Sequence, residues 1–173
     1  MNIAGKRVLI TGGSSDIGLA LAKAFLGEGA KVAISGRRPD IVAAAVEALP
    51  QAGLSVWGIA ADVATSDGRA ETLKQALDAL DGLDIHVNNA SGVKAGRIEN
   101  TPRAELQAII DVDLVAPIML SCAALPAHNR HRGADFGLLQ RIRNLLVGES
   151  RALHRPDSFG PSGPSRAGPS TPL

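Results

Sequence analysis

The chain contains no tyrosine, and aromatic residues make up only 2% of its 173 positions. Any mechanism that uses a tyrosine as acid or base is therefore excluded from these residues. There is one cysteine, Cys122, so an internal disulfide framework is impossible. A lone thiol suits a reducing compartment, and a cytoplasmic location is expected. An excess of one charge is also missing. Eighteen Lys+Arg face 17 Asp+Glu for a net charge of +1, which offers no global electrostatic case for nucleic acid or a membrane surface. The longest apolar stretch, Leu114–Ala127, contains Pro117 and Pro126 and reads as too short to span a bilayer, which takes about 20 residues. No charged-then-apolar leader precedes the first strand pattern. His128, His131 and His154 have no matching Cys or acid spacing, so no metal site is expected.

What is present fits one soluble domain with a tail. Apolar residues are 45% and charged residues 20% of the chain, a globular composition, and a chain of this length can bury roughly 70% of its unfolded surface. The charge is uneven. Residues 1–126 hold 11 Lys+Arg and 14 Asp+Glu, whereas residues 127–173 hold 7 Arg, no Lys and 3 Asp+Glu.

The first 126 residues alternate strand and helix patterns. Short apolar runs with β-branched residues predict strands at Lys6–Thr11, Lys31–Ser35, Leu54–Ala60 and Ile85–Asn88. Helical spacing predicts helices at Ile17–Leu26, at Asp40–Leu49 after Pro39, and from about Asp67 to Leu80 with Ser66 as N-cap. A last helix is predicted with Thr101 as cap and Pro102 at its first position, running to about Leu125 with a bend at Pro117. This alternation predicts an α/β fold with right-handed crossovers and a parallel sheet covered on both faces.

Thr11-Gly12-Gly13-Ser14-Ser15-Asp16-Ile17-Gly18 falls between the first strand and the first helix. A glycine turn there lets the backbone approach a pyrophosphate, and the helix N-terminus supplies N–H groups and positive dipole density. Ser35-Gly36-Arg37-Arg38 closes the second strand, where a dinucleotide fold faces the adenosine ribose. An acid at that spot would bind a 2′-hydroxyl, whereas Arg37 accommodates a 2′-phosphate, which favours NADP over NAD. Asp62-Val63 and Asn88-Asn89-Ala90-Ser91-Gly92 follow the third and fourth strands, at the ends where open α/β sheets bind ligands. Alone, each also reads as an ordinary loop, with Asp starting a helix and Asn-Asn forming a turn. Trp57 and Cys122 read as packing residues, and His86 as a half-buried strand histidine.

In this order, TGGSSDIG, SGR, DV, NNAS and IDVDLVAP, the motifs resemble the short-chain dehydrogenase/reductase family over residues 1–126. The resemblance implies a Rossmann-type doubly wound sheet, incomplete here at about four strands, that binds NADP or NAD. It implies a cofactor loop at Gly12, Ser14, Ser15, Ile17 and Gly18, with Asp16 in the place of the loop's middle glycine. It puts Asp62 and Val63 at the adenine, Asn89, Ala90 and Ser91 along the cofactor, and Asn88 in support of the central strand. Asp113 stands where the family has the asparagine of its proton relay. The family transfers hydride between NADP(H) and a small carbonyl or alcohol, with a catalytic serine and a Tyr-x-x-x-Lys pair on a later helix. This chain has no tyrosine and no lysine after Lys94, so no catalytic residues are assigned and turnover is not expected. The alternatives are a binding-only half-domain and a non-functional truncated product.

After Pro126 the character changes. Residues 127–154 are weakly helical around Phe136–Val147, and residues 155–173 are rich in Pro, Gly and Ser and are expected to be disordered. A tail of Arg, Pro, Gly and Ser without Lys or Tyr is what high-GC coding sequence yields in a wrong frame, so a frameshift near Pro126–His128 is expected. A shift of one nucleotide permits an apolar run and consecutive serines over Ala127–Gln140, but does not restore the lysine. With strand order 3-2-1-4 and no further strands, the fourth strand becomes an open edge unless residues 134–147 cover it. The family's oligomer interface is expected to be missing.

Overall fold

A computed structural model of the chain describes residues 2–49, 55–92 and 100–128. The expectations for residues 129–173, including a cover from 134–147 and a disordered tail, lie outside them. Within the described residues the order is β1 (Arg7–Thr11), α1 (Asp16–Gly27), β2 (Lys31–Gly36), α2 (Pro39–Ala48), β3 (Val56–Ala60), α3 (Ser66–Leu80), β4 (Ile85–Val87) and α4 (Arg103–Ile110). A five-residue π-helical segment, Asp111–Val115, then leads into α5 (Ala116–His128). The four strands form one parallel sheet in the order β3-β2-β1-β4; the strand–helix alternation predicts the parallel pairing, and the resemblance to a dinucleotide-binding fold implies the order.

β1 explains why the sheet is covered twice. Its alternating side chains point to opposite faces. Val8 and Ile10 join Ala22 and Leu26 of α1, Val32 and Ile34 of β2, and Ala45 of α2 in one core cluster. Leu9 joins Ala33, Ile59, Ala76 and Leu80 of α3, Leu83, and Ala124 of α5 in the other. Helices α1 and α2 thus cover one face, and α3 and α5 the other. Trp57 packs against the second cluster, the role read for it. β1 lies between β2 and β4, in register Val8↔Val32 and Val8↔Ile85. β4, at the sheet's end, is half-buried along its length.

The helix starts differ from expectation by one residue. Thr65, not Ser66, caps α3: its hydroxyl accepts a hydrogen bond from the Gly68 N–H at 3.0 Å. Thr65 has the extended backbone that a cap requires, whereas Ser66 already lies in the first turn. Pro102, not Thr101, occupies the N-cap position of α4, and its carbonyl accepts from Glu105 N at 2.9 Å.

The bend expected at Pro117 takes the form of the π-helical segment. Proline lacks an N–H, and its ring crowds the carbonyl four residues back, which is Asp113. A wider turn just before the proline relieves that clash, and Ala116 N donates five residues back to the Asp111 carbonyl. The chain is consequently helical without a break from Arg103 to Pro126, and that stretch is long and apolar enough to cross a membrane by length and composition. This corrects the sequence reading, which measured only the uninterrupted apolar run. Val112, Ala116, Leu120 and Ala124 are buried at four-residue spacing along it, and Ala116 and Leu120 pack with Val63, the residue after Asp62. Cys122 stands off that row and is half-buried, so it is less enclosed than a core residue.

Candidate functional site

The C-terminal ends of β1, β2, β3 and β4 open into one cleft with a cavity volume of about 310 Å³, which lies in the usual range for ligand pockets. The strand order reverses here: β2 leaves β1 on one side and β4 joins it on the other, a topological switch point of the kind that makes such crevices. The glycine-rich turn contributes Gly12, Ser14, Ser15, Asp16, Ile17 and Gly18. Ser35, Gly36, Arg37 and Arg38 come from the end of β2. Asp62 and Val63 follow β3, and Asn89, Ala90 and Ser91 follow β4. The structure thus brings the twelve residues singled out in the sequence to the walls of one cavity.

The turn after β1 is built by close approach. Gly12 has a positive φ of +64°, and a Cβ there would come within 2.8 Å of the Ala90 Cα. At Gly18 a Cβ would stand 2.2 Å from the Gly12 carbonyl oxygen and 2.5 Å from Asn89 Nδ2. Only glycine lets α1 start against the end of β1 in this way. The first N–H groups of α1 have no intrahelical acceptor, and Ser15, extended at the N-cap, makes no side-chain cap bond. That end of α1 presents donors and positive dipole density to the cleft.

Thr11 joins the β4 loop to the turn. Its buried hydroxyl accepts from the N–H groups of Asn89 and Ala90 at 3.1 and 3.2 Å and donates to the Val87 carbonyl at 3.3 Å. Asn89 in return donates from Nδ2 to the carbonyls of Thr11 and Gly12 at 3.1 and 3.0 Å. The Asn89 amide therefore holds the turn in place, and the residue borders the cavity from that position. Asn88, expected to support the central strand, donates to Ser121 Oγ of α5 at 3.1 Å. Asp62 accepts from the Ala64 N–H at 3.0 Å, an Asx-type turn. Arg69 on α3 fastens the same loop by donating to the carbonyls of Val63 and Ala64 at 3.0 and 2.8 Å. Asp113 accepts from the Gly92 N–H at 2.9 Å, tying the end of the β4 loop to the π-helical segment.

Two features escaped the sequence reading. Val112 lines the cavity, because the α4–α5 stretch passes beside the β4 loop. No spacing in the sequence signals that approach. The second is a single atom. Ser35 is 1% exposed and borders the cavity, and among the described residues its hydroxyl has no hydrogen-bond partner. A buried hydroxyl left unpaired costs about 1–3 kcal/mol. Arg37 and Arg38 are exposed at the rim. The cavity therefore combines a helix N-terminus with two arginines, a set suited to an extended ligand with phosphate groups.

Comparison with known proteins agrees with this geometry. The sequence model of the family described as short chain dehydrogenase matches residues 6–134. Dehydrogenase/reductase SDR family member 4 of Rattus norvegicus is 28% identical over 146 residues, which is 84% of this chain and 52% of the relative. L-sorbose reductase from Gluconobacter frateurii, solved in complex with NADPH and L-sorbose, is 31% identical with a TM-score of 0.69, covering 75% of this chain and 50% of that one. A short chain dehydrogenase from Burkholderia cenocepacia J2315, solved with NADP, is 29% identical with a TM-score of 0.69, covering 88% of this chain and 69% of that one. The chain spans about half the length of the curated relatives it matches. By its sheet order, its glycine turn and these matches, the chain belongs to the short-chain dehydrogenase/reductase family.

Proposed function

We propose that this chain is the dinucleotide-binding part of an NADP(H)-dependent oxidoreductase acting on a carbonyl or alcohol, with NAD as the second candidate cofactor. The single observation that carries the proposal is the cleft at the switch point. It brings together a helix N-terminus for a pyrophosphate and Arg37 and Arg38, from the end of β2, for a 2′-phosphate, as walls of one cavity. The residues present fit the cofactor. Ser14, Ser15 and the first N–H groups of α1 would hold the phosphates, and Arg37 the 2′-phosphate. Asp62 and Val63 would lie against the adenine, and Ala90 and Ser91 along the chain of the dinucleotide. Relatives solved with NADPH and NADP support the choice of NADP.

When bound, the cofactor supplies or accepts a hydride. These residues bind and orient it. Asn89, Thr11 and Arg69 hold the walls in place, and Val112 lines the cavity beside them. A phenolic acid/base is absent from these 173 residues, which contain no tyrosine, so the role proposed for them is binding the cofactor rather than turnover. The change of composition after Pro126 supports a shifted reading frame near Pro126–His128, and sequencing the gene tests it: an intact frame running through to Leu173 would refute it. The single cysteine supports a cytoplasmic setting, the near-zero net charge supports partners other than nucleic acid or a membrane surface, and a small carbonyl or alcohol substrate belongs to a full-length relative.

Titration with NADPH, followed by a turnover assay with small carbonyl compounds, tests the reading. NADPH binding in the micromolar to millimolar range with no turnover is the expected result. Turnover at the rates usual for enzymes would overturn the binding-only assignment, and absence of both would mark a non-functional product.

A further inference from the structure

We infer that Asp16 is a built-in anion at the phosphate end of the cleft, and that it holds the affinity for dinucleotides below what the rest of the site would support. The inference rests on the nucleotide reading above. Asp16 is the first residue of α1, is exposed, and borders the cavity. Its backbone is left-handed, with φ at +47°, a conformation that asparagine and aspartate tolerate better than most residues. A carboxylate in the first turn of a helix is stabilised by the helix dipole. A ligand phosphate at the N-terminus of α1 draws on that same dipole and the same N–H groups. The two anions therefore compete: Asp16 stabilises the ligand-free protein and repels the phosphates. Arg37 and Arg38, which border the same cavity from the end of β2, act in the opposite sense, so the balance of the site is set by one carboxylate against two guanidinium groups.

The opposed effects give a signature that a packing role would not produce. Asp16→Asn keeps a residue suited to the left-handed backbone and removes only the charge. In the full chain at low salt it should bind NADPH about two- to tenfold more tightly, and it should melt slightly earlier than the parent when no ligand is present. The gain should shrink towards unity in 0.5 M NaCl, where the Debye length falls to a few ångströms. Asp16→Gly, for which a left-handed backbone carries no strain, should show the same salt-sensitive gain and guards against a folding defect in the asparagine variant. Equal NADPH affinity in the parent and both variants would overturn the role of Asp16 and leave the nucleotide site standing. A gain unaffected by salt would also overturn it, by assigning the effect to a relaxed loop. If neither the parent nor the variants bind NADPH at millimolar concentration, the nucleotide reading fails and this inference with it.

Discussion

One added methyl group at Gly18 would place a Cβ 2.2 Å from a backbone oxygen of Gly12. Backbone gives way less readily than a flexible side chain, so Gly18→Ala should destabilise the chain by about 1–3 kcal/mol, read as a fall in the urea midpoint, and should weaken NADPH binding. A midpoint and affinity equal to the parent's would show that the turn is not built on this approach. A second residue-scale prediction concerns the base of the sheet. Arg7 donates from Nε to Asp84 Oδ2 at 2.9 Å and from a terminal nitrogen to Oδ1 at 3.0 Å, and also reaches the Asp81 carbonyl. These bonds to the Arg7 guanidinium hold the Asp84 carboxyl well below the usual carboxylate range, against a smaller opposing effect of burial. A carboxyl whose pKa is lowered on folding contributes stability above its unfolded pKa of about 4, and that contribution is lost as pH falls through the acid range. Asp84→Asn should therefore lower the urea midpoint at pH 7 and flatten the decline below pH 4. A variant whose pH profile runs parallel to the parent's would refute this. Gly18 was legible in the sequence, because a glycine turn before a helix has a known spacing. The Arg7–Asp84 pair was not, because 77 positions separate its members and only the β1–β4 pairing brings them together.

At the scale of elements, the α4–α5 stretch separates two kinds of leucine. Leu120 is 1% exposed, whereas Leu114 is 56% exposed. Leu120→Ala removes a side chain packed on Ala116 and Val63 and should cost about 2–5 kcal/mol. Leu114→Ala should stay within about 0.5 kcal/mol of the parent. Chemical denaturation of the two variants checks both, and equal losses would mean that the buried row is misassigned. Strand and helix order was readable because short apolar runs alternate with helical spacing. The element ends were less so. Thr65 and Ser66 are both good capping residues, and their choice depends on which backbone the chain adopts after Asp62. The π-helical segment was also beyond the sequence. Pro117 announces a disturbance, but a kink, a break or a wider turn would each satisfy it.

For the whole molecule, exposed apolar side chains dominate the outlook. Leu106, Leu114, Ile118 and Met119 are each between 45% and 56% exposed along one helical stretch, with Leu114 and Ile118 one turn apart. Surfaces of this kind favour association. Sedimentation velocity should show a broad, concentration-dependent distribution that narrows in Ile118→Lys/Met119→Glu, and a single monomeric species at all concentrations would refute the prediction. Length, composition and motif order by themselves determined the fold class, the sheet order and the twelve residues around the cleft. These features are local or follow from a repeated strand–helix unit, which admits few arrangements. The zero count of tyrosine likewise needed no structure. Only the tertiary structure decided that Asn89 holds the turn, that Val112 lines the cavity, and that among the described residues the Ser35 hydroxyl is buried without a partner. These are contacts between segments far apart in the chain, and their chemistry exists only once the sheet has assembled.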